Sequence, residues 1–137
     1  KLAYRITSDL YNHGFDSEGP MAWICSDPLV RKAYLEDPKT GFRFTVNANK
    51  VLMGLMMGAY SHSGHKAGKK ELPVIFLSGD DDPCTGGAGG LGRAMAAMHE
   101  AGYCNICHKT YPAMRHEVLN EIGKERVWQD VLDFMNL

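Results

Sequence analysis

The feature that most constrains the fold is the run Leu72-Pro-Val-Ile-Phe-Leu77, bounded by Pro73 and Gly79. It is apolar throughout, without polar alternation, which is the pattern of a strand buried on both faces of a parallel sheet. Downstream, Leu91, Ala94, Met95 and Met98 recur at i, i+3, i+4 and i+7, which predicts an amphipathic helix ending at Gly102. Tyr103 to Tyr111 then reads as a second strand. Glu125 to Met135 reads as a closing helix with Val127, Trp128, Val131, Leu132 and Met135 on one side. Strand, helix, strand, helix is the unit of an open α/β sheet, whose sites lie beyond the carboxyl ends of the strands. Two strands alone give a parallel sheet too few neighbours. The pattern therefore predicts the last part of a larger α/β domain, and a first residue Lys1 rather than Met points the same way.

Ahead of the strand, Leu2, Ala3, Ile6 and Leu10 predict a short helix that stops near Asn12 and Gly14. Phe15 to Phe44 carries Gly19-Pro20, Asp27-Pro28, Asp37-Pro38 and Gly41 among Trp23, Tyr34 and Phe42. This spacing predicts turns with a helix over about 28–36, a layout suited to a lid over another surface. Asn47 is the expected cap of a helix reaching Tyr60, with Val51, Leu52, Leu55, Met56 and Ala59 as its apolar stripe. Ser61 to Lys70 reads as a polar loop.

Charge and length remove several function classes. Fifteen basic and sixteen acidic side chains in 137 residues leave a net charge of -1 and a pI near 6.6, which offers no footprint for nucleic acid or anionic membrane. No apolar run approaches the ~20 residues of a membrane span. Four cysteines are too few for a disulfide scaffold, and with six histidines and eight methionines the composition predicts reduced thiols and a cytoplasmic location.

Chemistry concentrates where the two strands end. The first runs into Ser78-Gly-Asp-Asp-Asp82-Pro83 and the second into Tyr111-Pro-Ala-Met-Arg-His116-Glu117, so an acid and a histidine emerge at one rim. Serine-type hydrolysis needs an imidazole to take the nucleophile's proton and a carboxylate to hold that imidazole in the right tautomer. Pro83 disfavours helical geometry at residue 82, which would keep the Asp82 carboxylate on the rim. Asp80 and Asp81 are the nearest substitutes, and the bland alternative is a solvated acidic turn beside a surface histidine.

These motifs carry a resemblance that extends over nearly the whole chain. Gly79-Asp-Asp-Asp82-Pro83 and Tyr111-Pro112-Ala-Met-Arg115-His116-Glu117-Val-Leu119-Asn120-Glu121 are similar to the C-terminal end of α/β-hydrolases of the lysophospholipase, monoacylglycerol lipase and serine aminopeptidase type. Tyr11-Asn12, Trp23, Asp27, Tyr34, Asp37-Pro38, Gly41-Phe42 and Phe44-Thr45 resemble the cap region of the same group. The resemblance implies a three-layer αβα sheet, with residues 1–60 as cap and return helix and residues 61–137 as the last βαβα unit. It implies Asp82 as the triad acid and His116 as the triad base. The family's nucleophile, the serine of a G-x-S-x-G elbow, is missing: none of Ser8, Ser17, Ser26, Ser61, Ser63 and Ser78 has glycine at both i-2 and i+2. The serine and the oxyanion loop are therefore expected in an N-terminal part of the same hydrolase, in the same or a second chain. The implied substrates are small carboxylic esters or lipids, with no metal or organic cofactor. A homodimer is a further candidate association. The alternatives are a non-catalytic piece that completes another chain's sheet, and a peptidase with the same triad.

The remaining signals have plainer readings. Gly87-Ala-Gly89-Gly-Leu-Gly92 matches a dinucleotide fingerprint but begins well after the strand, so it reads as a flexible approach to the helix. Cys104-Asn-Ile-Cys107-His108 matches haem and metal patterns, but i and i+3 lie on opposite faces of a strand. Cys84 reads as a small apolar filler. His62, His65 and Lys66, Lys69 and Lys70 read as a solvated loop, and Met53, Met56 and Met57 as core. Trp23 and Phe42 are the side chains expected against an acyl chain.

Overall fold

The computed structural model describes residues 10–42, 44–61 and 65–136. The helix expected over Leu2–Leu10 lies outside them except for a single helical turn, Leu10–Asn12. Helix α1 spans Pro28–Glu36; Asp27 caps it by accepting from Leu29 N–H at 2.8 Å, and Pro28 occupies the first turn, where no N–H is needed. Helix α2 spans Val46–Ala59, and its cap is Thr45 rather than Asn47. The threonine hydroxyl accepts from Ala48 N–H at 3.1 Å and so satisfies one orphan amide of the first turn.

Strand β1 (Val74–Gly79) and strand β2 (Ile106–Tyr111) pair in parallel, from Val74 opposite Ile106 to Gly79 opposite Tyr111. Both boundaries differ from the sequence expectation. Cys104 lies ahead of the ladder, its N–H donating to Lys70 O and its thiol to the same carbonyl, so the residues before Ile106 tie down the preceding loop. The opposite-face argument for Cys104 and Cys107 therefore lapses; both are nonetheless free thiols.

Helix α3, Gly87–Glu100, links the strands and starts earlier than its apolar stripe suggests. The glycine-rich stretch is part of the helix itself, not a flexible approach to it. Gly90 is required there, because a Cβ would lie 1.7 Å from the Thr85 carbonyl oxygen. Helix α4, Glu125–Met135, closes the chain and buries Val127 completely.

The core is small and lies at the carboxyl end of the sheet. Tyr111, Met114, Val118 and Val127 form one buried cluster with Leu77 against it, and Ala22, Ile24 and Cys25 are buried nearby. Val74 to Leu77 are only half-buried, contrary to the expectation for a strand covered on both faces, because β1 has a single neighbouring strand among the described residues. No residue of α2 is buried, and Val51, Leu55 and Met57 are exposed. The reading of Met53, Met56 and Met57 as core is corrected accordingly. None of the described helices is long and apolar enough to cross a membrane.

One contact fixes how the strand ends meet. A Cβ on Gly79 would sit 2.0 Å from the Met114 carbonyl oxygen. Gly54, in the middle of α2, has nothing within 4 Å. Gly79→Ala is expected to destabilise the fold by about 1–3 kcal/mol through backbone displacement, and Gly54→Ala to stabilise it by roughly 0.5–1 kcal/mol through helix propensity. Urea unfolding of both variants measures the two effects, and equal midpoints would contradict the close approach.

Candidate active site

Beyond β1 the chain turns at Asp80 to Asp82, each with a separate position. Asp80 N–H donates to Tyr111 O at 3.1 Å, and its carboxylate accepts from Ala113 N–H at 2.6 Å. Asp81 N–H donates to Met114 O at 3.0 Å. These bonds join the turn after β1 to the turn after β2. Asp82 has extended backbone and caps a 3-10 turn, Pro83–Thr85, accepting from Cys84 N–H at 2.8 Å. The extended conformation is the one a following proline favours.

Asp82 faces His116. The imidazole Nδ1 lies 3.1 Å from Asp82 Oδ2 and 3.3 Å from Oδ1. The carboxylate side chain is 7% exposed and the imidazole 44%, so a desolvated anion backs a ring open to the solvent. The sequence-predicted acid and histidine are thus brought together, while the Asp80 carboxylate is taken by Ala113 N–H and Asp81 is exposed and bound through its main-chain N–H. The Asp82 hydrogen bond, followed by the Cys84 sulfur acting in the same direction, pushes the His116 pKa up to about 10 against a smaller opposing effect of burial. Because this folded value is raised, the pair stabilises the fold in full below the ordinary histidine value of 6.5 and loses that contribution as pH rises through about 10.

The loop carrying His116 is held by groups that the sequence reading did not single out. Arg115 is buried and forms a bidentate pair with Glu18, Nη2 to Oε1 at 2.6 Å and Nη1 to Oε2 at 3.0 Å. Its Nη1 also donates to Ala22 O at 2.6 Å, and its guanidinium lies 4.1 Å from the Phe15 ring centre. Arg115 holds the Glu18 carboxyl below the usual carboxylate range. Glu121, 1% exposed, accepts from the N–H of Ser26 and of Arg115 at 2.8 Å each, and from the Ser26 hydroxyl. Main-chain bonds complete the join, His116 N–H to Trp23 O and Glu117 N–H to Ile24 O. Asn12 steadies the same segment by accepting from Ala22 N–H at 2.8 Å. The only signal for these roles in the sequence is that Arg115 and Glu121 belong to the long motif around His116.

Trp23 packs on the His116 ring, centroids 5.2 Å apart, and Tyr11 packs on Trp23 at 5.3 Å. Trp23 and Phe42 line one cavity of about 220 Å³, with Tyr11, Tyr34, Met53 and Met56 in the same wall. A larger cavity of about 380 Å³, lined by Tyr60, Phe76 and Met98, includes neither Asp82 nor His116. His65 bonds the Gly58 carbonyl from an exposed position, and His62 lies outside the described residues.

Cys84 is not an inert filler. It is half-buried and lies with Asp82 and His116 so that one donor atom from each falls within 4.8 Å of the others. Cys25, by contrast, is fully enclosed, and burial pushes its thiol up to about 11, as expected of an unreactive cysteine.

Two outcomes follow from this geometry. Asp82→Asn is expected to drop the His116 pKa from about 10 toward 6.5, read by NMR titration of the ring nitrogens; an unchanged value would remove Asp82 as its cause. Glu121→Ala strands buried N–H groups and is expected to cost roughly 2–5 kcal/mol in urea unfolding, whereas a loss below about 0.5 kcal/mol, the range of an ordinary surface change, would contradict the anchoring role.

Comparison with known proteins identifies the family and the fold. Residues 1–123 match the sequence model of the family described as serine aminopeptidase, S33. No curated protein matches the chain. Among solved structures, a soluble variant of monoglyceride lipase from Saccharomyces cerevisiae, determined in complex with a substrate analogue, superposes with a TM-score of 0.65 at 20% identity. The alignment covers 82% of this chain and 40% of that one, so the chain spans well under half of the lipase's length. A strand–helix–strand–helix unit on the fold of that lipase, with the family match across nearly the full sequence, makes this chain a member of the S33 serine aminopeptidase-type α/β-hydrolases.

Proposed function

We propose that this chain supplies the acid and the base of a serine ester hydrolase, Asp82 and His116, and that the nucleophilic serine lies in an N-terminal part of the same hydrolase. The observation that carries the reading is the hydrogen bond from the His116 ring to a nearly buried Asp82 carboxylate at the carboxyl ends of two parallel strands. Residues 1–60 act as cap and return helix and residues 61–137 as the last unit of the core. The exposed apolar side chains of α2 and the half-buried face of β1 then pack against the remainder of the sheet.

In this mechanism Asp82 holds Nδ1–H of His116, so that Nε2 takes the serine proton as the hydroxyl oxygen attacks the ester carbonyl. His116 returns that proton to the departing alcohol, leaving an acyl-enzyme. It next deprotonates water, whose oxygen attacks the acyl carbon and releases the acid and the free serine. The Asp82 carboxylate stabilises the imidazolium that forms, the same effect by which it raises the His116 pKa. The aromatic and thioether wall around Trp23 and Phe42 suits an acyl chain, which favours monoacylglycerols or lysophospholipids over peptides. The reading places the enzyme in the cytoplasm, without a metal or organic cofactor.

The test uses the full-length protein and a short-chain monoacylglycerol. His116→Ala is expected to lower kcat/KM by about 10³-fold or more, and Asp82→Asn by about 10²-fold or more, because removing a triad member costs orders of magnitude. Losses below tenfold in both, with the fold intact by circular dichroism, would overturn the assignment. The competing peptidase reading gains if the same protein cleaves an N-terminal aminoacyl amide faster than the ester.

A further inference from the structure

The mechanism above leaves Cys84 without a task, yet it stands beside the two groups that have one. Its backbone N–H donates to Asp82 Oδ1 at 2.8 Å, while Asp82 Oδ2 is the oxygen nearer His116 Nδ1, at 3.1 Å. One carboxylate oxygen is therefore steadied by the main chain and the other faces the ring. One donor atom each from Asp82, Cys84 and His116, an oxygen, a sulfur and a nitrogen, lies within 4.8 Å of the other two. The spacing Asp82-Pro83-Cys84 on a single capped turn fixes two of the three on one short, stiff segment.

We propose that Asp82, Cys84 and His116 form a zinc-binding site whose occupancy switches the acid–base pair off. Zinc takes mixed S, N and O ligands in tetrahedral geometry, with bonds of about 2.3 Å to sulfur and about 2.0–2.2 Å to nitrogen and oxygen. Such bonds bring the three donors roughly 3–4 Å apart, a small contraction from the separations present. The half-exposed imidazole can make that movement, and its open side supplies an access path for the ion. Three protein ligands leave a fourth position for water. The hydrogen bond from Cys84 N–H to the ligating carboxylate is the kind of outer contact that orients a metal ligand.

The step balances simply. The Cys84 S–H bond breaks, its proton leaves to solvent, and the thiolate lone pair forms the bond to zinc. The Asp82 carboxylate binds through an oxygen lone pair. The imidazolium loses its Nδ1 proton to solvent and binds through the Nδ1 lone pair, so that Nε2 keeps the remaining proton and cannot accept one from a substrate. No electron is transferred. Binding therefore removes both the base and the carboxylate that orients it.

Co²⁺ replaces Zn²⁺ as a spectroscopic probe in the full-length protein, read without reference to catalysis. Wild type is expected to show a near-ultraviolet thiolate-to-cobalt charge-transfer band that Zn²⁺ displaces. Cys84→Ala is expected to lose the band, and Cys84→Ser serves the same purpose if the alanine variant does not fold. His116→Gln should weaken cobalt binding at least tenfold. A band that persists in the Cys84 variants would place the thiolate at another cysteine and overturn the proposal, as would no band in wild type. In a second arm, saturating Zn²⁺ should slow ester turnover at least tenfold, reversibly with EDTA, and should have less than a twofold effect on Cys84→Ala. If the cobalt band behaves as expected but no ester is hydrolysed in any form, the hydrolase reading fails while the metal site stands. If the band behaves as expected and zinc leaves turnover untouched, the switch is overturned.

Discussion

Everything at the candidate site depends on a backbone contact that only glycine permits. The Met114 carbonyl occupies the place where any side chain at residue 79 would project, so the turns that follow β1 and β2 lie directly against one another. Asp80 and Asp81 then lace the two turns together through Ala113, Tyr111 and Met114. With the turns locked, Asp82 and His116, 34 residues apart, meet at hydrogen-bond distance with little freedom left to lose. Such pre-organisation is what a proton-transfer pair requires, since its geometry must exist before the substrate arrives.

A second layer of polar contacts holds the histidine loop from the other side. Arg115 and Glu121 flank His116 in sequence and both reach into the segment around residues 18–26, one through a bidentate ion pair and the other through main-chain amides. Buried charges are costly unless fully partnered, and the Glu121 carboxylate meets that condition with neutral N–H and hydroxyl donors. The segment read from sequence as lid material thus has a second part in the structure, because Ala22, Ile24 and Cys25 are buried beside the loop that carries His116. Trp23 joins the two roles, contacting the His116 ring while lining the apolar cavity.

How much of this was legible in the chain follows from the range of each interaction. Helices α1 and α4 are set by local signals, Asp27-Pro28 and a strong apolar stripe, and they fall where those signals put them. The meeting of Asp82 and His116 was legible because both stand at strand ends and Pro83 restricts its neighbour. The early start of α3 was hidden, since glycines read as breakers and only the packing of Gly90 on Thr85 shows otherwise. The anchoring of Glu121 on Ser26 joins residues 95 apart and leaves no periodic trace. Cys84 was misread because its neighbour in space, His116, is remote in sequence.

The central claim is that Asp82 and His116 activate a serine that this chain does not contain. Its most direct test is reaction of the full-length protein with a fluorophosphonate, followed by mass spectrometry of the labelled peptides. The account predicts one adduct, on a serine N-terminal to the segment described, with a labelling rate that falls at least 10²-fold in His116→Ala. No adduct in wild type, or labelling at the same rate in that variant, would contradict it.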